Sequence, residues 1–238
     1  MVDKIGSEVF RKRKGLLPTK VVAKSGIPLP PFDVRLKMKW ENERKQKLSD
    51  EEFRELLKKE LLSWAERYNK EEGTTYDLKT EKEIGDRLRF KLELSKEDLK
   101  EIVRWKFQEN RLKGRRLKVL RMLENVDDTL IKNISRKALT AQSDYERIHL
   151  LRTIHGVGLA LASVILTFYD PKNYGVFDTH VWRELFGKEP KGLFNNPAYL
   201  FRVLLELRRI AKNVGLDVRT VEKALFKRNL ELQTEKFL

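Results

Sequence analysis

The chain has 238 residues, carries 51 Lys and Arg against 36 Asp and Glu for a net charge of +15, and contains no cysteine. That length supports one large or two small hydrophobic cores, and a positive surplus of this size favours a polyanionic partner, nucleic acid first. The missing cysteines exclude disulfides, cysteine-ligated zinc and cysteine-ligated iron–sulfur clusters.

Three histidines, His149, His155 and His180, show no zinc-binding spacing, so no metal and no other cofactor is expected. The sequence offers no apolar signal core and no run of about 18 apolar residues, which predicts an intracellular protein without membrane contact. Heavy Lys and Glu use without Cys resembles the composition of proteins from high-temperature organisms, where ion-pair networks help.

In chain order, residues 1–40 hold the basic run Arg11-Lys12-Arg13-Lys14 and then Pro28, Pro30 and Pro31, a composition that predicts an extended basic arm. Ser49 and Glu52 form a capping box before an apolar face of Phe53, Leu56, Leu57, Leu61, Trp64, Ala65 and Tyr68, which predicts a helix ending before Gly73. Thr80 with Glu83 reads as a further helix start, continuing to about Arg89 and followed by an irregular link. Ser95 and Asp98 open the next helix, which carries Leu99, Ile102, Val103 and the pair Trp105-Lys106.

Arg111, Lys113, Arg115, Arg116, Lys118 and Arg121 crowd around Gly114, expected to break a helix, and are candidates for nonspecific backbone contact. Asp127 or Asp128 caps a helix to about Leu139. Ser143 and Glu146 then cap a helix over about 144–154 whose end falls at Gly156.

The most informative stretch is Leu150 to Phe186. Its centre is His155-Gly156-Val157-Gly158, a tight hairpin leading into Leu159 to about Tyr169, a helix apolar on nearly every side and therefore a core helix. The free N–H groups at its start, facing a glycine turn, form a phosphate site that reads no base. Asp178 follows as a cap for a short helix, Thr179 to about Phe186, closed by Gly187. Lys172, Tyr169 and Tyr174 flank the loop before Asp178 as a candidate amine and candidate base-stacking rings. Asn196-Pro197 starts another helix, ended by Gly215, and Asp217 opens the last.

Ile154, Gly156-Val157-Gly158, Ala162 and Phe177-Asp178-Thr179-His180-Val181 together resemble the signature of the helix-hairpin-helix DNA glycosylase superfamily of endonuclease III-like proteins. The resemblance is close over about forty residues and vague outside them. It implies an all-α, two-lobed fold, with residues 41–75 plus 178–238 forming a terminal-segment lobe, 76–177 forming the hairpin lobe, and residues 1–40 remaining the arm. It implies DNA contacts from His155, Gly156, Val157, Gly158, Ala160 and His180, with Arg115 and Arg116 added from the basic stretch, and catalysis by Asp178. Bifunctional members carry a lysine two residues after the second glycine, where this chain has Ala160; Asp178 lies eighteen residues further on, the family's separation.

The resemblance therefore predicts a monomeric base-excision glycosylase acting on damaged or mismatched double-stranded DNA. Asp178 would activate water, and the enzyme would be monofunctional unless Lys106 or Lys172 supplies an amine. Some proteins resembling this superfamily carry a pair similar to Trp105-Lys106, which makes Lys106 a candidate replacement amine or phosphate contact. The alternatives are a lesion-directed endonuclease or AP lyase, and a DNA-binding protein without activity.

Overall fold

The structure, a computed structural model, describes residues 30–72, 75–108 and 112–234. All its regular structure is helical: α1 Phe32–Arg44, α2 Asp50–Arg67, α3 Thr75–Lys91, α4 Lys96–Lys106, α5 Lys113–Glu124, α6 Asp128–Thr140, α7 Asp144–Leu151, α8 Leu159–Tyr169, α9 Thr179–Phe186, α10 Pro197–Val214 and α11 Val218–Thr234. A π-helical turn, Tyr68–Glu72, follows α2, and a short 3-10 turn, Leu193–Asn195, precedes α10. The all-α expectation is met, and no described helix is long and apolar enough to cross a membrane.

Local chemistry accounts for most helix starts. Ser49 and Ser95 each accept the third backbone N–H of their helices while Glu52 and Asp98 reach back to the cap backbone, so two otherwise unpaired donors are satisfied at each end. Asp127, Ser143, Asp178 and Asn196 cap α6, α7, α9 and α10. Gly156 and Gly215 take positive φ of 92° and 66° where chain direction changes after a helix.

Three expectations need correction. Residues 32–40, assigned to the extended arm, lie in α1, because Phe32 and Leu36 are buried and Asp33 makes a two-point ion pair with Arg209 of α10 at 2.7 Å. The rest of that arm, residues 1–29, and its basic run lie outside the described residues. α3 begins at Thr75 rather than Thr80, and Thr80 is buried within it; the buried pair Ile84 and Leu88 holds this helix, and tertiary packing outweighs the local start signal. Gly73, the expected stop for α2, and Arg111 also lie outside the described residues. Gly114 does not break a helix; it sits in the first turn of α5.

Two sets of contacts dominate. α11 packs along α2 and against α9 and α10, and α1 joins this set through α9; α8 packs against α3, α4 and α7, with α6 on α7. Their buried apolar residues form one continuous cluster. α8 is the inner element: Leu159 and Leu161 through Phe168 are all buried. Its close approach to α3 needs Gly85, where a Cβ would stand 2.6 Å from the Phe168 carbonyl oxygen. Arg89 of α3 caps the far end of α8 by donating to the Phe168 and Tyr169 carbonyls at 2.8 and 3.1 Å.

The segment from α8 to α9 is pinned throughout. Tyr174 donates to Asp144, which Arg208 also holds, and a Cβ on Gly175 would meet Leu207 and Glu222 at 2.9 and 3.0 Å. Ser163 Oγ accepts the buried Phe177 N–H at 2.9 Å while donating to the Ala160 carbonyl at 2.7 Å. Ser163→Ala leaves that N–H without a partner one residue before Asp178, and we expect a loss of about 1–3 kcal/mol in urea unfolding.

Candidate functional site

The last residue of α4 meets the cap of α9. Trp105 turns its buried ring edge-on to Phe168 of α8, with centroids 5.0 Å apart. This fixes the end of α4, and the next side chain, Lys106, brings Nζ to 2.8 Å from Asp178 Oδ2. The other carboxylate oxygen of Asp178 accepts the His180 backbone N–H at 2.9 Å, so one oxygen caps α9 and the other holds the ammonium. Both side chains are largely buried, 12% exposed for Lys106 and 18% for Asp178. Burial alone raises the Asp178 carboxyl, but the charge and hydrogen bond of Lys106, with the His180 N–H, overcome it and hold the group at about 2.

This pair opens onto a cavity of about 340 Å³ that Ala160, His180, Glu222 and Phe226 also line, at the small end of the range of about 300–1,000 Å³ usual for ligand pockets. Beneath it lies Arg219, buried, held by Glu81 through two bonds of 2.9 and 3.0 Å and by Glu222. Its guanidinium stands 5.6 Å from the ring centroids of both Trp105 and Tyr68. Burial raises the Glu222 carboxyl despite Arg219, and burial pushes the Tyr68 hydroxyl up to about 12. A wider hollow of about 990 Å³ adjoins the cavity, with Arg115, Thr179 and Phe194 lining both, and Arg35, Arg183, Lys188, Lys191 and Arg228 around it.

The predicted site residues divide in three. Asp178, Lys106, Ala160, His180 and Arg115 come together around the cavity. The hairpin residues His155, Gly156, Val157 and Gly158 stand apart from it: His155 is exposed and lines a separate hollow with Gly114, Leu117, Lys118, Arg121, Met122 and Asn125 of the α5 region. Gly158 begins α8 without a side-chain cap, and Val157 is buried.

The remaining candidates lie outside the cavity lining or have partners of their own within the fold. Lys172 is exposed outside the cavity lining; only its carbonyl is engaged, accepting the Val218 N–H at 3.2 Å. Tyr174 is buried and bonded to Asp144 and Arg147, which removes it as a stacking ring, and Tyr169 lies outside the lining. Arg116 donates to the Phe107 and Gln108 carbonyls at 3.3 and 3.4 Å, and so supports the end of α4 instead of presenting a free surface charge. His180, expected to contact DNA, is 7% exposed and lines the cavity wall.

Sequence reasoning missed Glu81, Arg219, Glu222 and Asn229. Glu222 and Phe226 lie one helical turn apart on α11, a spacing visible in the sequence, but nothing local distinguishes them from an ordinary amphipathic face. Comparison with protein-family models, curated proteins and solved structures finds no match to any of them.

Because the folded state holds the Asp178 carboxyl below its ordinary value of 3.8, at about 2, the unfolded chain takes up this proton first as pH falls. The resulting stability, about 2 kcal/mol, is complete above the unfolded value and disappears as pH drops through the folded one. Urea unfolding at stepped pH should therefore show wild type losing more stability than Asp178→Asn between about pH 4 and pH 2.

Proposed function

We propose that the protein is a DNA base-excision glycosylase of the helix-hairpin-helix kind, with the two-lobed arrangement of that superfamily, and that Lys106 supplies its amine. The observation carrying this reading is the Lys106–Asp178 pair, with a 2.8 Å contact, on the wall of a 340 Å³ cavity that Ala160 also lines. The amine absent from position 160 thus has a counterpart reaching the same space from α4.

A damaged or mismatched base turned out of the duplex fits this cavity, with Phe226 and Phe194 offering apolar surface to its ring. The Lys106 amine attacks the sugar C1′, the bond from C1′ to the base nitrogen breaks, and the base leaves with the electron pair. Asp178, kept anionic, stabilises the positive charge that develops on the sugar. The C1′–O4′ bond of the adduct then opens, O4′ taking a proton from the adduct nitrogen, to leave a Schiff base; loss of a proton from C2′ and departure of the 3′ phosphate with the C3′–O electron pair cut the strand, so lyase activity accompanies excision.

The surrounding charge suits the partner. Exposed Lys118 and Arg121 on α5, in the hollow beside His155, and exposed Arg115 at the cavity offer charge to a polyanion without reading sequence. Double-stranded DNA is accordingly the partner of this reading.

Duplexes containing uracil, 8-oxoguanine, 5-hydroxyuracil, hypoxanthine or a mismatch, incubated with borohydride, test it directly. Wild type is expected to form a covalent protein–DNA adduct on at least one duplex and to cut without alkali, whereas Lys106→Gln forms none. Asp178→Asn should slow excision by about 10²–10⁴-fold. Breaks that arise only after hot alkali, with no trapped adduct, would instead assign the attack to water and make the enzyme monofunctional.

A further inference from the structure

Lys106 must lose a proton before its amine attacks, while Asp178, with one oxygen on the Lys106 ammonium and the other capping α9, serves the developing sugar charge only as an anion. The departing base must gain a proton. One group on the cavity wall is built to do both.

His180 is the end of a buried chain. Arg228 pairs with the Glu184 carboxylate, Asn229 Nδ2 donates to Glu184 Oε2 at 3.1 Å, and Asn229 Oδ1 faces His180 Nδ1 at 3.2 Å. A carboxylate only accepts, so the nitrogen of the Asn229 amide faces Glu184 and its oxygen faces the imidazole. An amide oxygen also only accepts, so Nδ1 carries a hydrogen. Glu184, Asn229 and His180 are each 7% exposed, and Phe226 packs edge-on to the imidazole with centroids 5.0 Å apart, so the ring is held. This is the opposite of the tautomer that predominates for a free histidine side chain in water. With Nδ1 committed, the lone pair of the neutral ring, and the exchangeable proton of the charged one, belong to Nε2. No described residue hydrogen-bonds Nε2, and His180 lines the cavity beside Lys106 and Asp178.

We propose that the Glu184–Asn229–His180 chain makes His180 the proton carrier of this site, Nε2 taking the proton that leaves Lys106 and returning it to the departing base. The inference rests on the glycosylase reading above. The step balances: the ammonium gives one proton to Nε2; the amine's lone pair forms the bond to C1′; the bond to the base breaks; and the base, leaving with that electron pair, takes the proton from Nε2. The imidazole ends neutral, as it began.

The full-length protein, labelled with ¹⁵N, reports the tautomer through long-range proton–nitrogen correlations of its three histidines, with His180→Gln assigning the ring. The expected result is the Nδ1–H form in wild type and a shift toward Nε2–H in Asn229→Leu. In single-turnover reactions on the duplex that wild type cuts, His180→Gln is expected to slow excision by about 10²–10⁴-fold while leaving duplex affinity unchanged. That deficit should shrink when the same base carries electron-withdrawing substituents, because a more stable base anion needs less help from an acid. Asn229→Leu gives the same comparison if His180→Gln does not fold.

An excising protein whose His180 is the Nε2–H tautomer, or whose variants lose the same factor on every base, overturns the proton carrier and leaves the glycosylase reading standing. Wild type that excises no base from any of the duplexes overturns that reading and the proton transfer with it.

Discussion

The contact on which the site depends is the ion pair between Lys106 and Asp178. Removing two charges from water costs several kcal/mol per ion, and their attraction offsets that loss only when geometry is good and the remaining lone pairs are occupied. Both conditions hold: the pair is 2.8 Å apart, and the second carboxylate oxygen is taken by the first turn of α9. A pair of apolar residues would fill the same space at no such cost. Two charges kept there, opening onto a cavity, mark the place as a candidate functional site.

Keeping that pair in register requires rigidity on both sides. From one side comes α4, anchored by Trp105 against Phe168 and supported past its end by Arg116. From the other comes the segment before Asp178, where Ser163 takes the Phe177 N–H and Gly175 lets the chain pass between Leu207 and Glu222. The buried helix α8 serves both, since Phe168 and Ser163 lie on it. Its apolar sequence thus has a purpose beyond core formation: it is the common reference for the amine and the carboxylate, and fixed dipoles or charges stabilise a developing charge most when they need not reorganise.

What the sequence made legible follows from what is local. Helix caps are short-range devices, and Ser49, Ser95, Asp127, Asp178 and Asn196 cap where their spacing places them. The hairpin and the core helix after it are equally plain, since glycine geometry and an all-round apolar pattern need no distant partner. Long-range partners were not legible. α1 was hidden behind its prolines because the evidence for it lies in Arg209, 176 residues away. Nothing near His180 in sequence announces its partner Asn229, 49 residues on. Lys106 stood out only through its tryptophan neighbour, and its partner is 72 residues distant. Arg116 shows the opposite error, a charge counted as surface that the fold uses to finish a helix.

In the proposed reading the amine comes from α4 instead of from the start of α8. A lysine side chain reaches several ångströms from its backbone, so any helix end pointing at the cavity can deliver Nζ to the same place. Ala160 at the start of α8 and Lys106 at the end of α4 both line that cavity. The two origins are not electrostatically equal. At the start of a helix an ammonium meets the positive end of the dipole, whereas at the end of one it meets the negative end. Lys106 lies at the favourable end of that dipole, and its Nζ is 2.8 Å from Asp178 Oδ2. In the glycosylase reading a paired ammonium needs a group to take its proton, and the buried imidazole of His180 lines the same cavity.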